Sequence, residues 1–453
     1  MIINGKIKVL ADKRINRKIY SSLWKEFSFH NGAINFTDGK DLEFLCGKNA
    51  EMQLNSDDEF AFKVTDDGFI IKGADINGLR KGINVLAARI ECKEAETYIP
   101  NGEIHGKFTS PFRAVHYCVF PETTLFETER FLKAAAVMCY THIVVEFWGT
   151  LRYDALRCLG FKKSFSKKQL KKVFNEAKAL GVEIIPFFNH LGHASQGRVI
   201  SGKHVVLDQK PEYARLFTPD GWAFRIDSKE VKELLKKIRR ELYELCGEGE
   251  YFHLGCDEAY IYNAGYSSYD DVSKYVAQCA NEVVEEGRRP IIWADQLVPA
   301  YFTQHAGEIA TYVPTKEDNL LAASFAKKLP KQTVLADWWY GTNKFPVSTC
   351  EGLKKFGFEI LGCPFDWTEN IEAYHKTPDL KGVLLTTWHI LSQSGNYKNL
   401  LYNARLFGYP HNEWSKFSPL QTETAKILRA VKKPKRYEET GFCTEQITKN
   451  LLR

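Results

Sequence analysis

No apolar run in the sequence is long enough to cross a bilayer, and the first residues, MIINGKIKVLADKR, contain no apolar core of signal-peptide length. The expectation is a cytoplasmic protein with no membrane partner. No Cys-x-x-Cys pair occurs. The 11 cysteines, an odd number, are scattered through 453 residues, which argues against a disulfide frame and against a structural zinc site. Buried thiols in a reducing compartment fit better. An excess of one charge is also missing. The net charge is +6, and the Lys-rich stretches SKKQLKK (from 166) and KELLKKIRR (from 232) fall on amphipathic helical patterns. They read as solvated outer faces, so no nucleic-acid partner is expected. Tandem repeats and low-complexity tracts are absent as well.

What the chain does have is enough apolar and aromatic material, 44% and 13%, for a large core. From residue 113 short β-rich runs alternate with helical patterns. The runs are RAVHYCVF (113), HIVVEFW (142), VEIIPFF (182), YFHLGC (251), PIIWAD (290), TVLADWW (333), FEILGC (358) and GVLLTTW (382). Most are apolar on both alternations, as strands buried on both faces must be, and helical segments such as 127–139, 166–180, 228–246 and 270–286 separate them. Eight such units predict an α/β fold with a closed (β/α)8 TIM barrel. The rival, an open doubly wound sheet, would carry a glycine-rich phosphate turn after its first strand, and VHYCVFPETT has none. Residues 1–108 read as a small α+β domain preceding the barrel, 109–410 as the barrel, and 411–453 as a terminal helix with a charged tail.

In a barrel of this kind chemistry sits at the carboxyl ends of the strands. Those ends hold Glu146 and Trp148, Asn189 with His190 and His193, Asp257 with Glu258, Trp293 with Asp295, Asp337 to Tyr340, Asp366 with Trp367, and Trp388 with His389. An Asp-Glu pair taken alone more often caps a helix. At the end of the fourth run, in YFHLGCDEAY, both acids can instead turn into one pocket. There mutual repulsion keeps one ionised and raises the proton affinity of the other, the division of labour that glycosidic cleavage uses. His190, His193 and Cys256 raise a zinc reading, but no third ligand has firm spacing, and no metal or cofactor is expected. The tryptophans Trp293, Trp338, Trp339, Trp367 and Trp388 suit a sugar-sized pocket, or ordinary packing.

These residues resemble a known family. FHLGCDEAY is similar to the His-x-Gly-Gly-Asp-Glu signature of family 20 glycoside hydrolases, the β-N-acetylhexosaminidases, with Cys256 in place of the second glycine. The Gly-Cys-Asp-Glu form resembles the intracellular hexosaminidase D type. INGLRKGINVL (from 76) resembles the end of that family's small domain, SPFRAV its first strand with Arg113 at the sugar-binding arginine, and GVEIIPFFNHLGH its third strand. In the third strand Asn189 stands where aspartate is common and Leu191 where proline is. DWWYG places Tyr340 at the tyrosine that contacts the acetamido oxygen. Two departures are plain. TTWHIL lacks the glutamate that commonly ends the eighth strand, and VVEFWGTLRY lacks a pair of aspartates, leaving Glu146 as the nearest acid.

The resemblance implies an exo-acting β-N-acetylhexosaminidase working by substrate-assisted, retaining hydrolysis. Glu258 would be general acid and base, Asp257 would orient the acetamide, Tyr340 would fix its oxygen, and His193 would support Glu258. Substrate contacts are expected from Arg113, Asn189, Trp293, Asp295, Trp339 and Trp388. The partners would be small glycans or glycoconjugates ending in GlcNAc or GalNAc, and homodimer formation stays open. Two other readings stay open too: a conventional retaining β-glycosidase with Asp295 or Asp337 as nucleophile, and a sugar-binding barrel without catalysis.

Overall fold

The eight apolar runs form eight parallel strands: β1 (Phe112–Val119), β2 (His142–Phe147), β3 (Glu183–Phe187), β4 (Tyr251–His253), β5 (Arg289–Trp293), β6 (Val334–Asp337), β7 (Glu359–Gly362) and β8 (Gly382–Leu385). Each pairs with the next, and β8 returns to β1 through Gly382 opposite Phe112 and Leu385 opposite Val115, closing the barrel. The computed structural model describes residues 7–8, 12–28, 34–35, 44–46, 54–93, 96–195, 203–259, 261–262, 264–298, 315–388, 396–410 and 419–431.

Alternation along a strand decides what fills the barrel. Phe112 and Ala114 of β1, Val144 of β2, Ile185 and Phe187 of β3, Tyr251 of β4, Ile291 and Trp293 of β5, and Val334 and Ala336 of β6 pack together as one interior cluster. The opposite alternation joins the larger core beneath the helices. Followed toward the carboxyl ends, the interior alternation reaches His116, Glu146, His253, Trp338 and Trp388. The strand period thus carries polar and aromatic groups from the floor of the barrel to its mouth.

Helices Leu125–Val137, Lys167–Ala179, Lys229–Cys246 and Tyr269–Glu285 follow β1, β2, β3 and β4, within two residues of the segments expected from the sequence. The second opens with a capping box in which Ser166 and Gln169 satisfy each other's backbone N–H. No helix among the described residues is long and apolar enough to cross a membrane.

Ahead of the barrel, strands Phe44–Cys46, Gly68–Gly73, Phe60–Thr65 and Gly102–Gly106 lie side by side in that order. Helix Ile76–Ala88 rests on them. Gly82 allows the close approach, since a Cβ there would lie 2.6 Å from Ile71 Cγ2. The same helix ties the small domain to the barrel, for Asn84 Nδ2 donates to Ala136 O at 3.1 Å and to Leu180 O at 3.2 Å. Helix Pro419–Val431 packs on Asn396–Leu406, Leu125–Val137 and Arg17–Phe27. The expected charged tail lies outside the described residues.

Candidate active site

Beyond His253 the chain leaves β4 as Leu254-Gly255-Cys256-Asp257-Glu258, and three of these residues have left-handed backbone: Gly255 at φ 68°, Cys256 at φ 71° and Glu258 at φ 46°. Glycine is required at 255 twice over, because a Cβ would also lie 2.7 Å from Asn189 Oδ1. Cys256 adopts the left-handed conformation with a side chain, at a cost of about 1 kcal/mol. Its thiol is buried, burial pushes its proton affinity up, and Sγ donates to Leu254 O. It is a packing group and not a nucleophile.

The winding turns both acids to one side, where strand alternation would have separated them. His193 Nε2 lies 3.3 Å from Asp257 Oδ2 and 3.1 Å from Glu258 Oε2. His193 comes from the loop after β3, itself left-handed at φ 55°. Its ring packs on Trp222 at 4.4 Å, and Trp222 Nε1 donates to Glu258 O at 2.7 Å. Burial alone would lower the His193 pKa, but the Asp257 carboxylate and hydrogen bonds to both acids outweigh it and hold the imidazole at about 9. The bridge is therefore an imidazolium at neutral pH. Burial likewise opposes ionisation of Asp257, yet the charges of Lys203 and His193 prevail and keep it well below the usual carboxylate range.

The acids open on a cavity of about 280 Å³, just below the usual range for ligand pockets. Trp148, Trp293, Trp338 and Trp388 wall it, Tyr340 lies across it, and His193 and Lys203 complete it. Tyr340 Oη accepts from Trp388 Nε1 at 2.7 Å and lies 3.2 Å from Thr386 Oγ1. This fixes the hydroxyl on the wall. Sequence reasoning missed Lys203, since nothing in SGKHVV marks it among the many lysines. Its Nζ pairs with Glu146 Oε1 at 2.6 Å and donates to Asn189 Oδ1 at 3.2 Å. Glu146 Oε2 takes further hydrogen bonds from Trp148 Nε1 and His116 Nε2, both at 3.1 Å. Against the effect of burial, Lys203 and His116 hold the Glu146 pKa at about 2.

Several expected contacts fall elsewhere. Arg113 is not in the cavity. It sits at the amino end of β1 on the outward alternation, where Nη2 pairs with Asp58 Oδ2 at 2.6 Å and Nε donates to Cys139 O at 2.9 Å. Trp339 is fully buried on the outward side of β6, its N–H donating to Tyr374 Oη at 2.7 Å, and its neighbour Trp338 takes the wall position. Asn189 and Asp295 lie behind the acids and do not line the cavity. Asn189 Nδ2 donates to Asp257 Oδ1 at 2.8 Å, and Asp295 Oδ2 accepts the Glu258 N–H at 2.9 Å. Burial and the nearby Asp257 charge raise the Asp295 pKa well above the usual range. Asp337 accepts from Thr349 Oγ1 at 2.6 Å and Tyr374 Oη at 3.0 Å, and burial raises its pKa too. Trp367 is exposed and outside the cavity wall. His389 lies outside the described residues.

His190 and His193 form no metal pair, because His190 faces away, with Nδ1 2.7 Å from Phe188 O and Nε2 3.1 Å from Arg239 Nη1. His116, Cys118 and Glu146 do bring three ligand-type atoms within 4.8 Å of one another. The ammonium of Lys203 already neutralises that carboxylate.

Comparison with known proteins agrees with this architecture. The lacto-N-biosidase of Bifidobacterium bifidum is 20% identical over 397 residues, 85% of this chain, and the chain spans about a third of that relative's length, 33%. Among solved structures, the N-acetyl-β-hexosaminidase of Streptomyces plicatus superposes with a TM-score of 0.67 at 13% identity, covering 95% of this chain and 92% of the other. The β-N-acetylhexosaminidase of Bacteroides fragilis gives 0.65 at 14%, covering 94% and 91%. At such identities the structural likeness speaks for the fold. The model of glycosyl hydrolase family 20, catalytic domain, matches residues 149–389, more than half of the sequence and the span that carries the acids, His193, Lys203, Tyr340 and Trp388, and the chain belongs to that family.

Proposed function

We propose that the protein is an exo-acting β-N-acetylhexosaminidase. It removes a terminal GlcNAc or GalNAc from small glycans or glycoconjugates with retention, the substrate's own acetamido oxygen attacking C1 and forming an oxazolinium intermediate. Glu258 gives its proton to the leaving oxygen and then takes one from water. Asp257, held ionised, accepts the acetamide N–H and balances the positive charge that grows on the ring. Tyr340 Oη, fixed by Trp388, orients the acetamido oxygen, and His193 holds both acids in place. The observation that carries this reading is the histidine shared by the two acids, His193 Nε2 lying 3.3 Å from Asp257 Oδ2 and 3.1 Å from Glu258 Oε2. It presents two carboxylates, the only ones lining the cavity among the described residues, to one small aromatic-walled space.

The conventional two-carboxylate alternative, with Asp295 or Asp337 as nucleophile, meets a geometric obstacle. Both are buried off the cavity in hydrogen bonds to the protein. A sugar-binding barrel has no need of a proton donor at Glu258, whose side chain is 42% exposed at the cavity. Cytoplasmic residence belongs to the same proposal, supported by eight free and buried cysteines among the described residues. The test is a panel of aryl N-acetyl-β-hexosaminides against the matching β-glucosides and β-galactosides. We expect turnover of the N-acetyl sugars alone, and an aryl β-glucoside cleaved as fast as its N-acetyl counterpart would rule out substrate assistance.

A further inference from the structure

We propose that Lys203 reads one ring hydroxyl of the sugar, accepting nothing and donating one hydrogen bond to it, and so helps set which N-acetylhexosamine the site takes. The inference rests on the hexosaminidase reading above.

An ammonium has three donors. One is committed to Asn189 Oδ1 at 3.2 Å, the charge is paired with Glu146 Oε1 at 2.6 Å, and among the described residues no further acceptor takes a hydrogen bond from the head group. The head group is placed for a ligand, since Nζ lies 5.4 Å from the Trp148 ring centroid and 5.3 Å from that of Trp388, and both rings wall the cavity. Lys203 is only 1% exposed. A buried donor left unmatched is costly, which favours a ligand oxygen at that point.

Glu146 does not line the cavity and does not do the reading in its place. One oxygen is ion-paired with Lys203, and the other already receives Trp148 Nε1, His116 Nε2 and, at 3.5 Å, Cys118 Sγ. Its function is to hold the ammonium. Trp293 Nε1, buried and also without a partner among the described residues, adds a second donor on the same wall. The cavity lining therefore offers donors, and the substrate hydroxyl that Lys203 recognises acts as an acceptor.

The experiment is a cycle between enzyme and substrate. Kinetic constants for the wild type and K203M are measured on 4-nitrophenyl N-acetyl-β-glucosaminide and on its 3-, 4- and 6-deoxy analogues. For the parent sugar K203M should lower kcat/KM by about 10- to 100-fold, the size of a charge-assisted hydrogen bond. For one deoxy analogue the loss should nearly vanish, because the partner oxygen is already gone. Any general effect of the substitution, including a change in the charge balance at Asp257, falls equally on all four sugars and cancels. Equal losses on every analogue overturn the assignment and leave Lys203 a structural residue. If the wild type cleaves no N-acetylhexosaminide, the hexosaminidase reading itself fails, which is a different outcome. Should K203M not fold, K203R retains a cation for Glu146 with displaced donors and must show the same selective loss on one hydroxyl.

Discussion

His193 Nε2 lies 3.3 Å from Asp257 Oδ2, and the pair is closed from the other side by Asn189 Nδ2 on Asp257 Oδ1 at 2.8 Å. The carboxylate is thus gripped by a cation and an amide, both from the loop that follows β3. This grip sets the charge state of the site and yields the first prediction. The His193 pKa is raised from 6.5 to about 9. A raised folded-state value means its contribution to stability is fully present below pH 6.5 and is lost as pH rises through 9. In urea titrations at pH 6, 7.5 and 9.5, the advantage of the wild type over His193→Gln should be largest at pH 6 and should fall by 9.5 to the pH-independent part that ring packing on Trp222 supplies. A difference that stays constant with pH would contradict the imidazolium bridge.

Asn189→Asp restores the residue common at this point of the family, but here it would set a second carboxylate against Asp257. Like charge favours the protonated form. The ionisation of Asp257 should move to higher pH in a carboxyl-carbon NMR titration, and an unmoved titration would show that Asn189 does not help to keep it ionised.

Glu258→Gln removes the proton donor while keeping the side-chain shape. Losses of about 10²- to 10⁴-fold are expected on glycosides with poor leaving groups. The loss should shrink with a dinitrophenyl leaving group, which departs without protonation. An equal loss on both would remove Glu258 from the acid role.

Arg113 makes the opposite case. Arg113→Met breaks a buried ion pair with Asp58, whose other partner is Lys81 at 2.7 Å. The folded state should lose roughly 3 kcal/mol in urea unfolding, while KM for an aryl N-acetylglucosaminide stays at the wild-type value. A raised KM at unchanged stability would return Arg113 to the sugar site.

The sequence by itself determined the architecture and the place of the chemistry. Eight apolar runs with helices between them can bury both strand faces only as a covered parallel sheet, and closure puts residues 257 and 258 at its mouth. Adjacent acids after a Gly-Cys turn are a local feature, and local features are legible. Tertiary structure alone decided the rest. TVLADWW ends with a tryptophan on each alternation, so the sequence could not say whether Trp338 or Trp339 faces inward, and the barrel chose Trp338. Arg113 stands on a strand, but its distance from the strand's carboxyl end and its outward alternation turn it to Asp58. Lys203 gives no local signal at all, because its meaning comes from Glu146 on β2, far away in the sequence. It is brought there by the loop that pairs Lys203 N–H with His193 O at 3.0 Å. Periodicity is a property of neighbours along the chain, whereas the charge balance of the site is set by groups that only folding brings within a few ångströms.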